Sequence, residues 1–152
     1  PLLATRPIKR SELVLITADR GLAGGFNRHI LRKSARFIRD QEQPVEVVTI
    51  GKKGRDFSLR FGLHLRATFS GVGDKVTAVD AGPIARLLME DFVTGRFDAV
   101  YLCYTDFINT AKQVPVIRPL LPIKAVKPEV KWSPDYIFEP DPQTILGDVL
   151  YR

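Results

Sequence analysis

Apolar runs and amphipathic stretches alternate along most of this chain, and their order predicts its architecture. Residues 12–17 (ELVLIT) form a short apolar, β-branched run with no useful alternation, the pattern of a strand buried on both faces of a parallel sheet. The glycine-rich stretch Asp19-Arg20-Gly21-Leu22-Ala23-Gly24-Gly25 then breaks the strand with a tight turn. From residue 26 to about 40, Ile30, Leu31, Ala35 and Ile38 recur at helical spacing while Arg32, Lys33, Arg36 and Arg39 take the other faces, which predicts an amphipathic helix lying on a sheet. Gln43-Pro44 ends it. Residues 45–50 (VEVVTI) read as a second strand, followed by Gly51-Lys52-Lys53-Gly54 and a short helical stretch toward Arg60, and residues 63–69 read as a third strand.

Residues 70–75 read as a loop. Ile84, Leu87, Leu88, Asp91 and Phe92 then mark a helix that ends near Thr94-Gly95, with Gly95 as its C-cap and Pro83 placed in its first turn. A fourth strand, residues 99–104, is again continuously apolar. Four strands separated by helical segments predict an α/β domain with a three-layer, doubly wound, mostly parallel sheet. Beyond it, Pro115, Pro119 and Pro122 limit residues 107–123 to an edge strand or an extended crossing. Residues 124–134 read as a polar loop, residues 136–139 as a short strand, and Pro142 as the opening of a helix.

Composition narrows the classes. A chain of 152 residues with 45% hydrophobic content suits a single domain with one packed core. No run approaches the roughly 20 apolar residues that a membrane span needs, and no secretory leader is recognisable. The single cysteine, Cys103, sits in the apolar fourth strand; it excludes an intrachain disulfide and a thiolate metal cluster, and favours a reducing compartment over secretion. The net charge of +6 permits an anionic partner without choosing one, and solubility alone accounts for an excess of that size.

The stretch Leu15-Ile16-Thr17-Ala18-Asp19-Arg20-Gly21-Leu22-Ala23-Gly24-Gly25-Phe26-Asn27 resembles the strand–turn–helix signature (S/T)-D-R-G-L-C-G-G-(F/Y)-N of the gamma subunits of F-type ATP synthases, with Ala18 in place of the usual Ser and Ala23 where Cys is common. Gly95-Arg96-Phe97-Asp98-Ala99-Val100, Tyr104-Thr105-Asp106-Phe107, Leu120-Leu121-Pro122-Ile123 and Tyr136-Ile137-Phe138-Glu139-Pro140-Asp141-Pro142 agree with that family in order and spacing. The resemblance implies a Rossmann-like body without a nucleotide site, the central globular domain of a rotor subunit that transmits torque and catalyses nothing itself. It further implies partners: an epsilon subunit, a membrane rotor ring, and a hexamer of alternating catalytic subunits reached through axle helices. The chain begins at Pro1 without a Met and stops at Arg152 inside a predicted helix. The expectation is therefore a fragment lacking two flanking coiled-coil helices, belonging to a protein held peripherally on the cytoplasmic face of a bacterial membrane or its organellar equivalent.

The chemistry-bearing motifs point the same way. Gly21 to Gly25 invites a dinucleotide, but the spacing is G-x-x-G-G rather than G-x-G-x-x-G, and the second strand ends at Thr49-Ile50-Gly51 without an acid for a ribose hydroxyl. Asp19 and Arg20 read as a cap and local ion pair. Gly51-Lys52-Lys53-Gly54-Arg55 has the composition of a phosphate loop without its G-x-x-x-x-G-K-[ST] spacing and reads as a solvated basic turn. His29 and His64 stand far apart with no ligand cluster beside either, and no nucleophile elbow occurs. The basic face of Arg28, Arg32, Lys33, Arg36 and Arg39 is interrupted by Asp40 and Glu42 and lacks exposed aromatics for base stacking, so it reads as a solvated face or a subunit contact. The sequence thus predicts no catalytic, cofactor-binding or metal residue, no nucleic acid and no small-molecule substrate. A nucleotide-binding oxidoreductase domain is the alternative.

Overall fold

The computed structural model describes residues 1–17, 24–70, 78–109 and 111–123. In chain order the elements are β1 (Ser11–Ile16), α1 (Gly24–Asp40), β2 (Val45–Ile50), α2 (Lys52–Arg60), β3 (His64–Phe69), α3 (Ala78–Val93), β4 (Ala99–Asn109) and β5 (Lys112–Leu121). They build a five-stranded sheet of order β3-β2-β1-β4-β5. β1 pairs in parallel with β2 and with β4, β2 pairs in parallel with β3, and β5 alone runs antiparallel, against β4. The chain therefore moves outward from β1 to β3, returns through α3, and restarts on the other side of β1, the doubly wound course expected from the strand–helix alternation.

Alternate residues of the central strands fill two cores, because successive strand side chains point to opposite faces. On one face Leu13, Leu15, Val45, Val47 and Cys103 pack with Ile30, Leu31, Phe37 and Ile38 of α1. On the other, Val14, Val48, Ile50, Val100, Leu102, Leu120 and Leu121 pack with Ile84, Ala85, Leu88 and Phe92 of α3. β1 is buried through Leu15, as a central parallel strand should be. Gly54 of α2 sits 3.3 Å or less from the Leu15 side chain, measured from where a Cβ would stand, which puts α2 on the α1 face. Three layers result: α1 and α2, the sheet, and α3.

Three expectations are corrected. Pro83 lies inside α3, one turn later than its predicted place; it is exposed and costs that helix one backbone hydrogen bond. The fourth strand does not stop at residue 104. β4 continues to Asn109 and forms a long antiparallel hairpin with β5, where Thr105 faces Pro115 and Tyr101 faces Pro119. The prolines are tolerated because β5 is the edge, as their positions suggested. Gly51 to Arg55 is not a solvated turn but the opening of α2, and Gly51 and Gly54 are buried. Gly51 has φ 103, and a Cβ there would stand 2.0 Å from the Thr17 carbonyl oxygen, so only glycine lets the end of β1 approach. The Gly54 N–H donates to Thr17 Oγ1 at 2.9 Å, fixing the same contact. Residues 18–23, most of the loop after β3, and the strand and helix predicted beyond residue 124 lie outside the described residues.

Candidate functional site

The densest polar construction among the described residues lies where the chain enters the sheet. α3 ends in a Schellman motif: the Gly95 N–H donates to the Phe92 carbonyl at 3.1 Å and the Arg96 N–H to the Asp91 carbonyl at 2.9 Å, with Gly95 at φ 82. This turn delivers Phe97 into the core and sets Asp98 just before β4. Asp98 gathers the amino-terminal segment. Its Oδ1 accepts from Arg6 Nε at 2.7 Å, and its Oδ2 accepts from the Lys9 N–H at 2.8 Å and the Arg10 N–H at 3.2 Å. The Arg6 guanidinium also donates to the carbonyls of Phe92 and Phe97, each at 2.7 Å, and lies 4.4 Å from the Phe92 ring centroid. The Lys9 N–H and the Arg6 guanidinium, in that order, hold the Asp98 carboxyl below the usual carboxylate range. Charge-assisted bonds of this kind are each worth about 1.5–3 kcal/mol net, so the segment is fastened rather than draped.

The end of β5 lies beside this entrance. The Ile123 N–H donates to the Leu2 carbonyl at 2.8 Å, so the chain leaving β5 touches the chain approaching β1. Both meet at the end of the sheet where β1 and β4 begin.

A second polar cluster is buried above this root, on the α3 face. Asp91 of α3, 4% exposed in its side chain, accepts from Arg66 of β3 at 3.0 and 3.2 Å. Beside them Glu12 of β1 is fully buried, and neither of its carboxyl oxygens finds a partner of good hydrogen-bond geometry among the described residues. Burial first, and then the nearby Asp91 carboxyl, push Glu12 up to about 9, against the pull of Arg66. Glu12 is therefore a neutral acid at neutral pH. Glu46, opposite Glu12 in register, reaches Arg96 at 3.5 Å. Charge joins β3 to α3 through Arg66 and Asp91, and β2 to the turn after α3 through Glu46 and Arg96, while Glu12 of β1 packs between them uncharged.

The sequence-predicted features fall elsewhere. Asp19, Arg20 and Gly21 to Ala23 lie outside the described residues, while Gly24 and Gly25 open α1. His29 stands on α1 and His64 on β3 at the far edge, and no group of three or more metal-ligating side chains occurs among the described residues. Cys103 is buried, and burial pushes its thiol up to about 12, which makes it an inert core residue. No helix of the described residues is long and apolar enough to cross a membrane. Sequence reasoning missed Arg6, Asp98, Glu12, Arg66 and Asp91 as a set. The one local signal is an acid at the head of an apolar run, with Asp98 just before β4 and Glu12 at the second position of β1.

Comparison with known proteins agrees along the whole length. The family described as ATP synthase matches residues 1–152. The ATP synthase gamma chain of Dehalococcoides mccartyi strain CBDB1 is 42% identical over 152 residues, covering all of this chain and 53% of the relative. That of Moorella thermoacetica is 41% identical over 152 residues, with 54% of the relative covered. The chain thus spans about half the length of the curated relatives it matches. Among solved structures, a chain of the central stalk and c-ring of Tetrahymena thermophila mitochondrial ATP synthase superposes with a TM-score of 0.71 at 26% identity, covering 97% of this chain and 70% of that one. A rotor chain of Euglena gracilis mitochondrial ATP synthase, at 20% identity and TM-score 0.55 over 74% of this chain, shares the fold. With identity above 40% across its full length, the chain belongs to the ATP synthase gamma-chain family.

Proposed function

We propose that this chain is the globular body of a central-stalk subunit of the proton-translocating F-type ATP synthase, coupling ion-driven rotation to ATP synthesis or hydrolysis in neighbouring catalytic subunits and performing no chemistry itself. The observation that carries the reading is the full-length match to gamma chains, of which this chain covers about half. The remaining half is room for the two axle helices, through which the body reaches the catalytic hexamer. An epsilon subunit and the membrane rotor ring are the other proposed partners, with the protein held peripherally at the cytoplasmic face of the membrane or its organellar equivalent. The root supports this mechanically. A body that transmits torque must not swivel on the segment that leads into it, and Arg6, Asp98 and the Leu2–Ile123 hydrogen bond fasten the amino-terminal segment to the sheet. Every relative reported above is an ATP synthase chain, which leaves the oxidoreductase alternative without support.

The reading is tested by rotation. Leu59 on α2 is 64% exposed, so Leu59→Cys offers a labelling point while Cys103 stays buried. In a complex assembled from the full-length protein and a catalytic hexamer, a bead attached there should turn in one direction when ATP is supplied. A bead that stays still while the hexamer hydrolyses ATP, with the protein demonstrably bound, would remove the rotor assignment.

A further inference from the structure

α1 and the edge strand β5 enclose a groove of about 750 Å³ that the root and the rotor reading leave unused. One wall is α1, which presents Arg32, Lys33 and Arg36, all exposed. None of the three has an ion-pair partner among the described residues, although five other arginines do. Arg28, Arg32 and Arg36 follow one another at i, i+4 spacing, an arrangement that repels itself and that the fold does not relieve. The floor is Phe37 of α1 edge-on to Tyr101 of β4, with centroids 5.0 Å apart. The opposite wall, from β5, is apolar apart from Arg118, which also lines the groove. Tyr101, Cys103 and Thr105 pair with Pro119, Ile117 and Pro115, so these three residues of β5 share the α1 face.

We infer that this groove docks an acidic, amphipathic segment of a partner protein, with carboxylates against Arg32, Lys33 and Arg36 and aliphatic side chains against Phe37, Tyr101, Pro115 and Ile117. The asymmetry of the walls selects that occupant. A phosphate or nucleotide is best held by converging backbone N–H groups, and β5 has prolines, which lack one, where that wall would supply them. Duplex nucleic acid and a lipid surface are flat against charge and would leave the apolar wall and floor uncovered. A segment with two chemistries on two sides satisfies both walls. It docks through side chains rather than as an added strand, because Pro115 and Pro119 strip donors from the sheet edge. The inference stands on the groove alone and does not require the rotor reading.

The test uses a fluorescent peptide that alternates Glu with Leu, one chemistry per face, and its Lys/Leu counterpart, titrated with the intact protein. The Glu/Leu peptide is expected to bind, to weaken about tenfold or more between about 50 and about 300 mM salt, and to lose about tenfold in affinity in Arg32→Glu/Arg36→Glu. The Lys/Leu peptide should not bind. Arg28→Glu/Arg39→Glu carries the same change in net charge outside the groove, and it should leave the affinity within about twofold. Circular dichroism and melting of both variants monitor folding, and all four positions are exposed. No binding at low salt, or equal losses in the two variants, would overturn the inference. So would tighter Arg32→Glu/Arg36→Glu-sensitive binding of duplex DNA or anionic phospholipid vesicles, or self-association with the same sensitivity.

Discussion

On the α3 face of the sheet, ionisable groups are turned inward: Asp91 is buried and Arg66 reaches in to it, Glu12 is buried in its neutral form, and Arg6 lies across the Phe92 ring. On the α1 face the interior is apolar, from Leu13 and Leu15 to Cys103, and Arg32, Lys33 and Arg36 of α1 stand outside in water without ion-pair partners among the described residues. Burying a charge costs several kcal/mol unless it is paired, so inward charge persists only where it fixes one arrangement of the elements it joins. Outward charge costs little and stays free to meet something else. One face is built to hold; the other is left able to bind.

That contrast can be broken at its strongest point by Phe92→Ala. Phe92 is fully buried in the α3 core, and both its ring and its carbonyl hold Arg6. The cavity and the lost cation–π contact should together cost about 4 kcal/mol, read from urea unfolding. A loss below about 1 kcal/mol would mean that the α3 face collapses around the gap and is not the holding side.

Glu12→Gln sharpens the contrast through pH. The unfolded carboxyl ionises near its ordinary value of 4.5, whereas the folded one keeps its proton up to about 9. Between those values the native state binds more protons, so stability is highest below the unfolded value and falls as pH rises toward 9. Gln cannot ionise. The variant should show a flattened dependence between about pH 5 and 9 and should be the more stable protein at pH 8, by on the order of 2 kcal/mol. The comparison includes Asp91, Arg66 and Glu46, which face Glu12 and remain unchanged. If the slope survives in the variant, its source lies elsewhere.

The smallest effect belongs to the other face. Arg36→Ala should change unfolding free energy by no more than about 0.5 kcal/mol, with a slight gain from reduced repulsion along α1. A loss of 2 kcal/mol or more would show that these cations are structural after all.

The layers and the strand–helix order were legible because buried parallel strands leave continuous apolar runs and α1 leaves a helical stripe. The edge character of β5 was legible too, from its prolines, but the long hairpin it makes with β4 was not. Pairing Thr105 with Pro115 depends on which strand lies next door, and proline spacing does not carry that information. Pro83 was misplaced because a local preference for the first turn yields when an exposed position can absorb one missing hydrogen bond. The root was invisible for a different reason. Arg6 and Asp98 stand 92 positions apart, and nothing in either neighbourhood announces the other. Glu12 falls inside the apolar run 12–17, and nothing in that run says whether its carboxyl reaches water. Only the packing of α3 over it shows that it does not.

The hydrogen bond between Ile123 and Leu2 has one more consequence. It ties the first residues of the chain to the end of the edge strand, so β5 is held both by β4 along its length and by the amino-terminal segment at its close. A substitution that displaces either of these two short stretches should loosen the other with it.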